Sequence, residues 1–305
     1  MDIKKRKLLV PAKLKPEDTI GIAAPGSPFN LKEFKMGVSV LESMGFKTYC
    51  PEGIFNKNGY LAGGDESRAA VLNDLFADRR IKAILCARGG FGSMRVLSLL
   101  DYDIICKNPK IFVGYSDATA LLSFLYEKCS LVTFHGPMVT TLSEASKRTR
   151  LAMFSTLTNR SDFEIKLRKG VSLKTGITSG TLLGGNLATL CHLVGTSCLP
   201  SYRGHILFIE EKGEALYRID RMLTHMKLAG CFDGLAGLLL GAFTDCGPAK
   251  DIFKVVTRIF GETDIPILAG FDGGHGKENI TIPFGIKTIL DAGRKNISFK
   301  WQQTG

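Results

Sequence analysis

The segment Lys110-Ile-Phe-Val-Gly-Tyr-Ser-Asp-Ala-Thr-Ala-Leu-Leu-Ser-Phe-Leu constrains the fold more than any other stretch of the chain. An apolar run closing at Val113 reads as a buried strand, and 118–126 reads as a helix with an apolar stripe. Only Gly114, Tyr115, Ser116 and Asp117 lie between them, too few for a relaxed loop. A strand that turns this sharply into a helix lifts a side chain clear of the sheet. It also aims that side chain at the helix's first N–H groups, where negative charge is stabilised. Ser116 occupies this place. It reads either as a helix N-cap or as a nucleophile on an elbow of the Gly-x-Ser-x-Gly kind, with Ala118 standing where the last glycine would be.

The rest of the first half supports such a fold. Strand patterns at 19–24, 47–50, 81–86, 111–113 and 131–134 alternate with helical patterns at 31–44 and 66–77 and a helix opening at Ser93. This rhythm predicts an α/β fold with a doubly wound, mostly parallel sheet. Asp65 reads as the N-cap of the second helix. From about 142 to 177 the pattern dissolves into Ser, Thr, Lys and Arg, which reads as a connection, partly helical at 145–157. Beyond it, Gly180-Thr-Leu-Leu-Gly-Gly-Asn-Leu reads as a tight glycine turn into a helix at 187–194. Strands follow at 206–210, 237–242 and 265–269, with a helix at 216–228. A chain of 305 residues exceeds what one core usually serves. The expected division is therefore a first domain over 1–142, a linker over 143–177, and a smaller C-terminal α/β domain over 178–305.

A nucleophile needs a base and an orienting acid. Of the five histidines, only His275 sits in a segment built around it, Ala269-Gly-Phe-Asp-Gly-Gly-His-Gly, whose glycines let another backbone or a substrate come close. His192 reads as a core side chain on an apolar helix, and His205 opens a strand. His225 lies on a basic helix face, and His135 reads as a loop residue that either lines a site or contacts nothing. For the acid, the strand Gly204-His-Ile-Leu-Phe-Ile-Glu-Glu ends in two carboxylates, and strand carboxyl ends are where α/β folds place reacting groups. Glu210 and Glu211 face opposite sides by the two-residue strand period, so one of them can reach an imidazole. Glu211 reads as the strand end in water.

The order Ser116, Glu210, His275 resembles the LD-carboxypeptidase family of serine peptidases, the S66 group. The blocks that carry the resemblance run in order across nearly the whole chain. They are Ile22-Ala-Ala-Pro-Gly-Ser-Pro, Ala87-Arg-Gly-Gly-Phe-Gly, Gly114-Tyr-Ser-Asp, His135-Gly-Pro-Met, Leu183-Gly-Gly-Asn-Leu, Phe208-Ile-Glu-Glu, Tyr217-Arg-Ile-Asp-Arg and Gly273-Gly-His-Gly. The resemblance implies a triad of Ser116 as nucleophile, His275 as general acid/base and Glu210 as orienting carboxylate, assembled in an interdomain cleft. It implies an oxyanion hole from the backbone N–H groups of Asp117, Gly89 and Gly90, in keeping with a glycine turn that presents bare N–H groups to an anion. Glu211 is the competing choice for the acid. The family further implies a homodimer, no cofactor and no metal, and removal of a terminal D-amino acid from a peptidoglycan-derived peptide during cytoplasmic recycling. A neighbouring branch cleaves peptidyl-nucleotide antibiotics and confers immunity, and the shared motifs do not separate the two. The substrate's terminal carboxylate needs a cation or N–H groups. Arg88, Arg218 and Arg221 are candidates for that role, with His135 as a further candidate lining residue.

Composition narrows the field in the same direction. The eight cysteines are scattered, with no Cys-x-x-Cys pair, so they read as reduced thiols rather than zinc ligands or a disulfide framework. The basic start gives way after three apolar residues to Pro11, far short of a signal peptide's apolar region, and no run approaches a membrane span. The net charge of +11 and pI near 9.3 raise a nucleic-acid reading. The basic residues are spread out, however, without aromatic interleaving or a nucleic-acid motif, so neither nucleic acid nor membrane is expected as a partner. One other class of function stays open. The turn Ala87-Arg-Gly-Gly-Phe-Gly-Ser-Met-Arg, between a strand and a helix, could cradle a phosphate in a nucleotide-binding module, although it lacks the Gly-x-Gly-x-x-Gly fingerprint and any Gly-Lys-Ser/Thr loop.

Overall fold

Buried parallel strands read as near-continuous apolar runs, and those runs form the centre of each of two units in the computed structural model, which describes residues 7–301. Unit 1 comprises Met1–Asn159 together with Thr281–Gly285, and unit 2 comprises Arg160–Ile280 and Ile286–Gly305.

Unit 1 runs β1 (Thr19–Ala23), α1 (Leu31–Ser43), β2 (Lys47–Tyr49), α2 (Asp65–Ala77), β3 (Ile81–Cys86), α3 (Ser93–Val96), α4 (Tyr102–Lys107), β4 (Ile111–Gly114), α5 (Thr119–Cys129), β5 (Thr133–His135), α6 (Val139–Leu142) and α7 (Lys147–Thr158). Asn30 caps α1 by accepting from the backbone N–H groups of Lys32 and Glu33. Gly37 lets α1 close onto α6, since any Cβ there would overlap the Val139 carbonyl. The parallel strands take the order β5-β4-β3-β1-β2. This is the doubly wound arrangement, whose order reverses between β1 and β3, and ligands bind at the carboxyl ends of strands at that switch point. Ile20, Ile22, Ile84, Phe112, Val113 and Phe134 are fully buried along the sheet. One edge is extended by a strand from far along the chain: Ile282–Phe284, β12 in chain order, pairs antiparallel with β5.

Unit 2 contains β6 (Phe163–Lys166), β7 (Val171–Lys174), β8 (Ile177–Asn186), α8 (Leu187–Leu193), β9 (His205–Lys212), α9 (Leu216–Leu228), β10 (Gly237–Thr244), α10 (Ala249–Phe260), β11 (Ile267–Ala269), β13 (Lys287–Asp291) and β14 (Asn296–Lys300). Its eight-stranded sheet has the order β6-β14-β13-β8-β9-β10-β11-β7. The central strands β8, β9, β10 and β11 are parallel, and the flanking strands join antiparallel.

Several expectations need correction. The stretch 143–177 is not a bare connection: it carries α7 in unit 1 and β6 and β7 in unit 2. The segment from Gly180 is strand, not turn. Its glycines are set by packing, because a Cβ on Gly184 would overlap the backbone of Phe208 on β9. The N-cap of α2 is Gly64, and Asp65 is the helix's first residue, where its carboxylate still complements the helix dipole. Among the described residues no helix is long and apolar enough to cross a membrane.

Candidate active site

The glycine turn after β3 and the elbow after β4 meet at the carboxyl end of the unit 1 sheet. The elbow is tight: a Cβ on Gly114 would lie 2.7 Å from the Ala118 Cβ and 3.1 Å from the Cys86 Sγ. Ser116 follows at φ +61, a left-handed conformation that costs a non-glycine residue about 1–3 kcal/mol and persists only where its surroundings enforce it. Its role is not capping. Ser116 opens a 3-10 turn, Ser116–Ala118, and α5 begins after Ala118 with no side-chain cap.

Gly89 lies directly against the serine, for a Cβ there would sit 2.9 Å from the Ser116 Cβ and 3.0 Å from its Oγ. Gly90 and Gly92 adopt φ +95 and +129, backbone that glycine takes up without a Cβ penalty. Among the described residues, neither the Gly89 nor the Gly90 N–H donates a hydrogen bond. Ser27, from the turn after β1, stitches this loop down. Its N–H donates to the Gly89 carbonyl (3.2 Å), and its Oγ accepts from the Phe91 N–H (3.1 Å). Asp117 braces the elbow by accepting from the Ser93 N–H at 2.8 Å. Helix α3 after the turn has only four residues, a weak dipole for holding a phosphate.

In unit 2, β9 delivers Glu210 and the loop after β11 delivers His275. Glu210 Oε2 lies 2.7 Å from His275 Nδ1 and also accepts from the His275 backbone N–H at 3.1 Å. The carboxylate is fully buried and the imidazole mostly so. A buried carboxylate on Nδ1 fixes the tautomer with the proton on Nδ1, which puts the basic lone pair on Nε2. Gly274 makes this approach feasible. It holds φ +96, and a Cβ there would come within 2.6 Å of the Glu210 Cγ. The Asn279 Oδ1 accepts from the Gly274 N–H (3.0 Å), and the Thr244 Oγ1 donates to the His275 carbonyl (3.0 Å), so the loop is held on two sides.

Glu211 points to the opposite face, as strand alternation requires, but not into water: it is 3% exposed. Its carboxylate accepts from Asn186 Nδ2 (2.9 Å), the Lys212 N–H (2.8 Å) and the Ala188 N–H in the first turn of α8 (2.7 Å). Burial pushes its pKa above the usual glutamate value, against the pull of those hydrogen bonds. The structure thus brings Glu210, and not Glu211, to the histidine.

The remaining candidates lie as follows. His135 is the last residue of β5, fully buried, with its ring 5.9 Å from that of Tyr115, so it is not a loop residue. Arg88 is exposed and donates to the Pro28 carbonyl. Arg218 and Arg221 flank the exposed Tyr217 ring on α9, and Arg218 pairs with Glu214. His192 is exposed rather than part of the core, because it falls on the outer side of α8. His225 Nδ1 lies 3.2 Å from the Cys191 Sγ. Sequence reasoning gave no role to Ser27, which accepts from the Phe91 N–H far along the chain, to Asn186, which caps α8 and donates to Glu211, or to Asn279, which accepts from the Gly274 N–H.

Both domains and the fold have counterparts among known proteins. The LD-carboxypeptidase N-terminal domain matches residues 20–136, and the LD-carboxypeptidase C-terminal domain matches 179–290. A Bacillus subtilis protein named "Probable murein peptide carboxypeptidase" is 37% identical over 93% of this chain and 92% of its own. The microcin C7 self-immunity protein MccF of Escherichia coli is 31% identical over 96% of each chain. A structure of MccF in the wild-type apo state gives a TM-score of 0.91 at 31% identity, covering 96% of this chain and 99% of that one. The muramoyltetrapeptide carboxypeptidase of Oxalobacter formigenes gives a TM-score of 0.84 at 28% identity, covering 92% of this chain and 97% of that one. Matched in both domains and over nearly its full length, the chain belongs to the LD-carboxypeptidase (S66 peptidase) family and is a carboxypeptidase.

Proposed function

We propose that this carboxypeptidase is a serine enzyme that hydrolyses an L,D-peptide bond and releases a terminal D-amino acid, with murein tetrapeptide as its substrate. Ser116 is the nucleophile, His275 the general acid/base and Glu210 the orienting carboxylate. The Ser116 Oγ attacks the carbonyl while His275 Nε2 takes its proton. The N–H groups of Asp117, Gly89 and Gly90 receive the oxyanion. His275 then protonates the leaving amine, and water, activated by the same imidazole, releases the acyl group. The observation that carries this reading is the buried Glu210 Oε2–His275 Nδ1 contact of 2.7 Å, since it selects the base and its tautomer together. Ser116 in its strained elbow supplies the matching nucleophile. The murein substrate is supported by the names of the Bacillus subtilis and Oxalobacter formigenes relatives. The homodimer implied by the family resemblance belongs to the same proposal and is read by light scattering.

Similarity to the self-immunity protein MccF favours a second reading, in which the same serine chemistry cleaves a peptidyl-nucleotide. Incubation with murein tetrapeptide and, separately, with a peptidyl-nucleotide, followed by product identification by mass, separates the two. Release of D-alanine from the tetrapeptide supports the first reading, and nucleotide release alone overturns it in favour of the second.

A further inference from the structure

Burying a guanidinium is costly, the more so for Arg68, whose buried Nε has no partner among the described residues. The Arg68 side chain, in the first turns of α2, is 1% exposed. Its Nη2 pairs with Asp65, which is held in turn by Arg95 through three contacts of 2.7, 2.9 and 3.0 Å. Its Nη1 donates to two backbone carbonyls from different loops, Pro25 in the turn after β1 and Gly92 in the turn after β3 (2.9 Å). An apolar side chain would pack α2 against these loops at less cost. What the guanidinium adds is two donors in a rigid fork.

Those two carbonyls lead to the elbow by short routes. The peptide unit joining Gly92 to Ser93 is gripped at both ends: its carbonyl accepts from Arg68 Nη1, and its N–H donates to Asp117 Oδ2 at 2.8 Å. On the other route, Pro25 precedes Gly26, which packs so closely that a Cβ there would lie 2.7 Å from the same Asp117 Oδ2 and 2.9 Å from the Gly89 carbonyl. Gly92 stands at φ +129, where nothing in its own conformational preference selects one orientation of the peptide. The link from Arg68, together with the Arg95 N–H that donates to the same carbonyl at 3.1 Å, therefore sets the plane of that peptide, and Asp117 carries it to the residue beside Ser116.

We infer that Arg68 is a positioning residue for peptide hydrolysis, fixing the glycine turn and the serine elbow in register through the Gly92–Ser93 peptide. The inference rests on the proposed role of Ser116 and the turn amides. Because oxyanion donors act on the tetrahedral species and not on the bound substrate, loss of this register lowers kcat and leaves KM in place.

The test compares Arg68→Lys, which keeps the charge and loses the fork, and Asp65→Asn, which loosens the fork's anchor, with Ser116→Ala and the native enzyme. The readouts are kcat and KM on murein tetrapeptide, the affinity of a peptide boronate as tetrahedral mimic, and Tm. Arg68→Lys is expected to lower kcat by about 10- to 100-fold, to weaken boronate binding by a similar factor, and to leave KM unchanged. Asp65→Asn shows the same pattern to a smaller degree, and decides alone should Arg68→Lys fail to fold. Native kcat in both variants, or a loss explained entirely by the unfolded fraction, overturns the inference. A fully active Ser116→Ala overturns instead the proposed chemistry on which it rests.

Discussion

Exchanging either adjacent carboxylate for its amide separates catalysis from stability on a single strand. In Glu210→Gln the amide oxygen can occupy the Oε2 position, where it still accepts from both the His275 N–H and Nδ1. The amide nitrogen then takes the Oε1 position, which has no hydrogen-bond partner among the described residues. Geometry is thus largely kept and charge is lost. A carboxylate and an imidazolium about 4 Å apart attract by about 4 kcal/mol at an effective dielectric of about 20. At about 1.4 kcal/mol per decade, that is roughly a 10³-fold fall in kcat. The situation of Glu211 is the reverse. Its oxygens face three donors, from Asn186, Lys212 and Ala188, so either orientation of a glutamine turns an N–H₂ toward an N–H. A buried donor left unsatisfied costs about 1–3 kcal/mol, and in a unit of this size each kcal/mol moves Tm by roughly 2–4 °C. Steady-state D-alanine release and thermal melting of both variants at one pH check the pair. Glu210→Gln should be crippled, with a fall in Tm no larger than that of its one unpartnered amide, while Glu211→Gln should be active and less stable. An active Glu210→Gln beside an inactive, folded Glu211→Gln would refute the assignment.

Gly89→Ala places a methyl 2.9 Å from the Ser116 Cβ; displacement of the serine should lower kcat by about 10- to 100-fold, and the overpacking should cost about 1–3 kcal/mol in stability, read by kinetics and melting together. Lys110 is buried and donates to the Leu75 and Asp78 carbonyls at the end of α2. Burial pulls its pKa down to about 8 from 10.5, against the attraction of Asp78. Because the folded value is the lower one, the cost of holding the ammonium is fully present below pH 8 and fades as pH rises toward the unfolded value. Native Tm measured against Lys110→Met should therefore improve between pH 8 and 10, and a constant difference would contradict this.

The legible parts of the fold are those whose pattern is local. Ile81–Cys86 and Leu216–Leu228 lie where an apolar run and an amphipathic helix predict them. The strand at Ile282–Phe284 was not legible, because three residues containing Pro283 become a strand only by pairing with β5, far earlier in the chain. The flanking strands β6 and β7 expose much of their length, so their apolar signal is too thin to distinguish from a connection. Gly184 reads as a turn residue until the backbone of Phe208 is seen against it. In the candidate site, the choice of Glu210 as the partner of His275 came from the family resemblance, while the sharp turn at Ser116 and the two carboxylates at the end of β9 were readable from local patterns. The burial of Glu211 against the start of α8 and the grip of Arg68 on two loops were not, since both depend on backbone groups that carry no sequence signature.

The central claim is that Ser116 is the nucleophile of a peptidase that frees a terminal D-amino acid. Its most direct test is the quantity of D-alanine released from murein tetrapeptide by the native protein and by Ser116→Ala at equal folded concentration. The account predicts release by the native protein and a fall to the small residual that binding and the turn amides sustain in the variant. Equal release by the two proteins, or none by the native one, would contradict it.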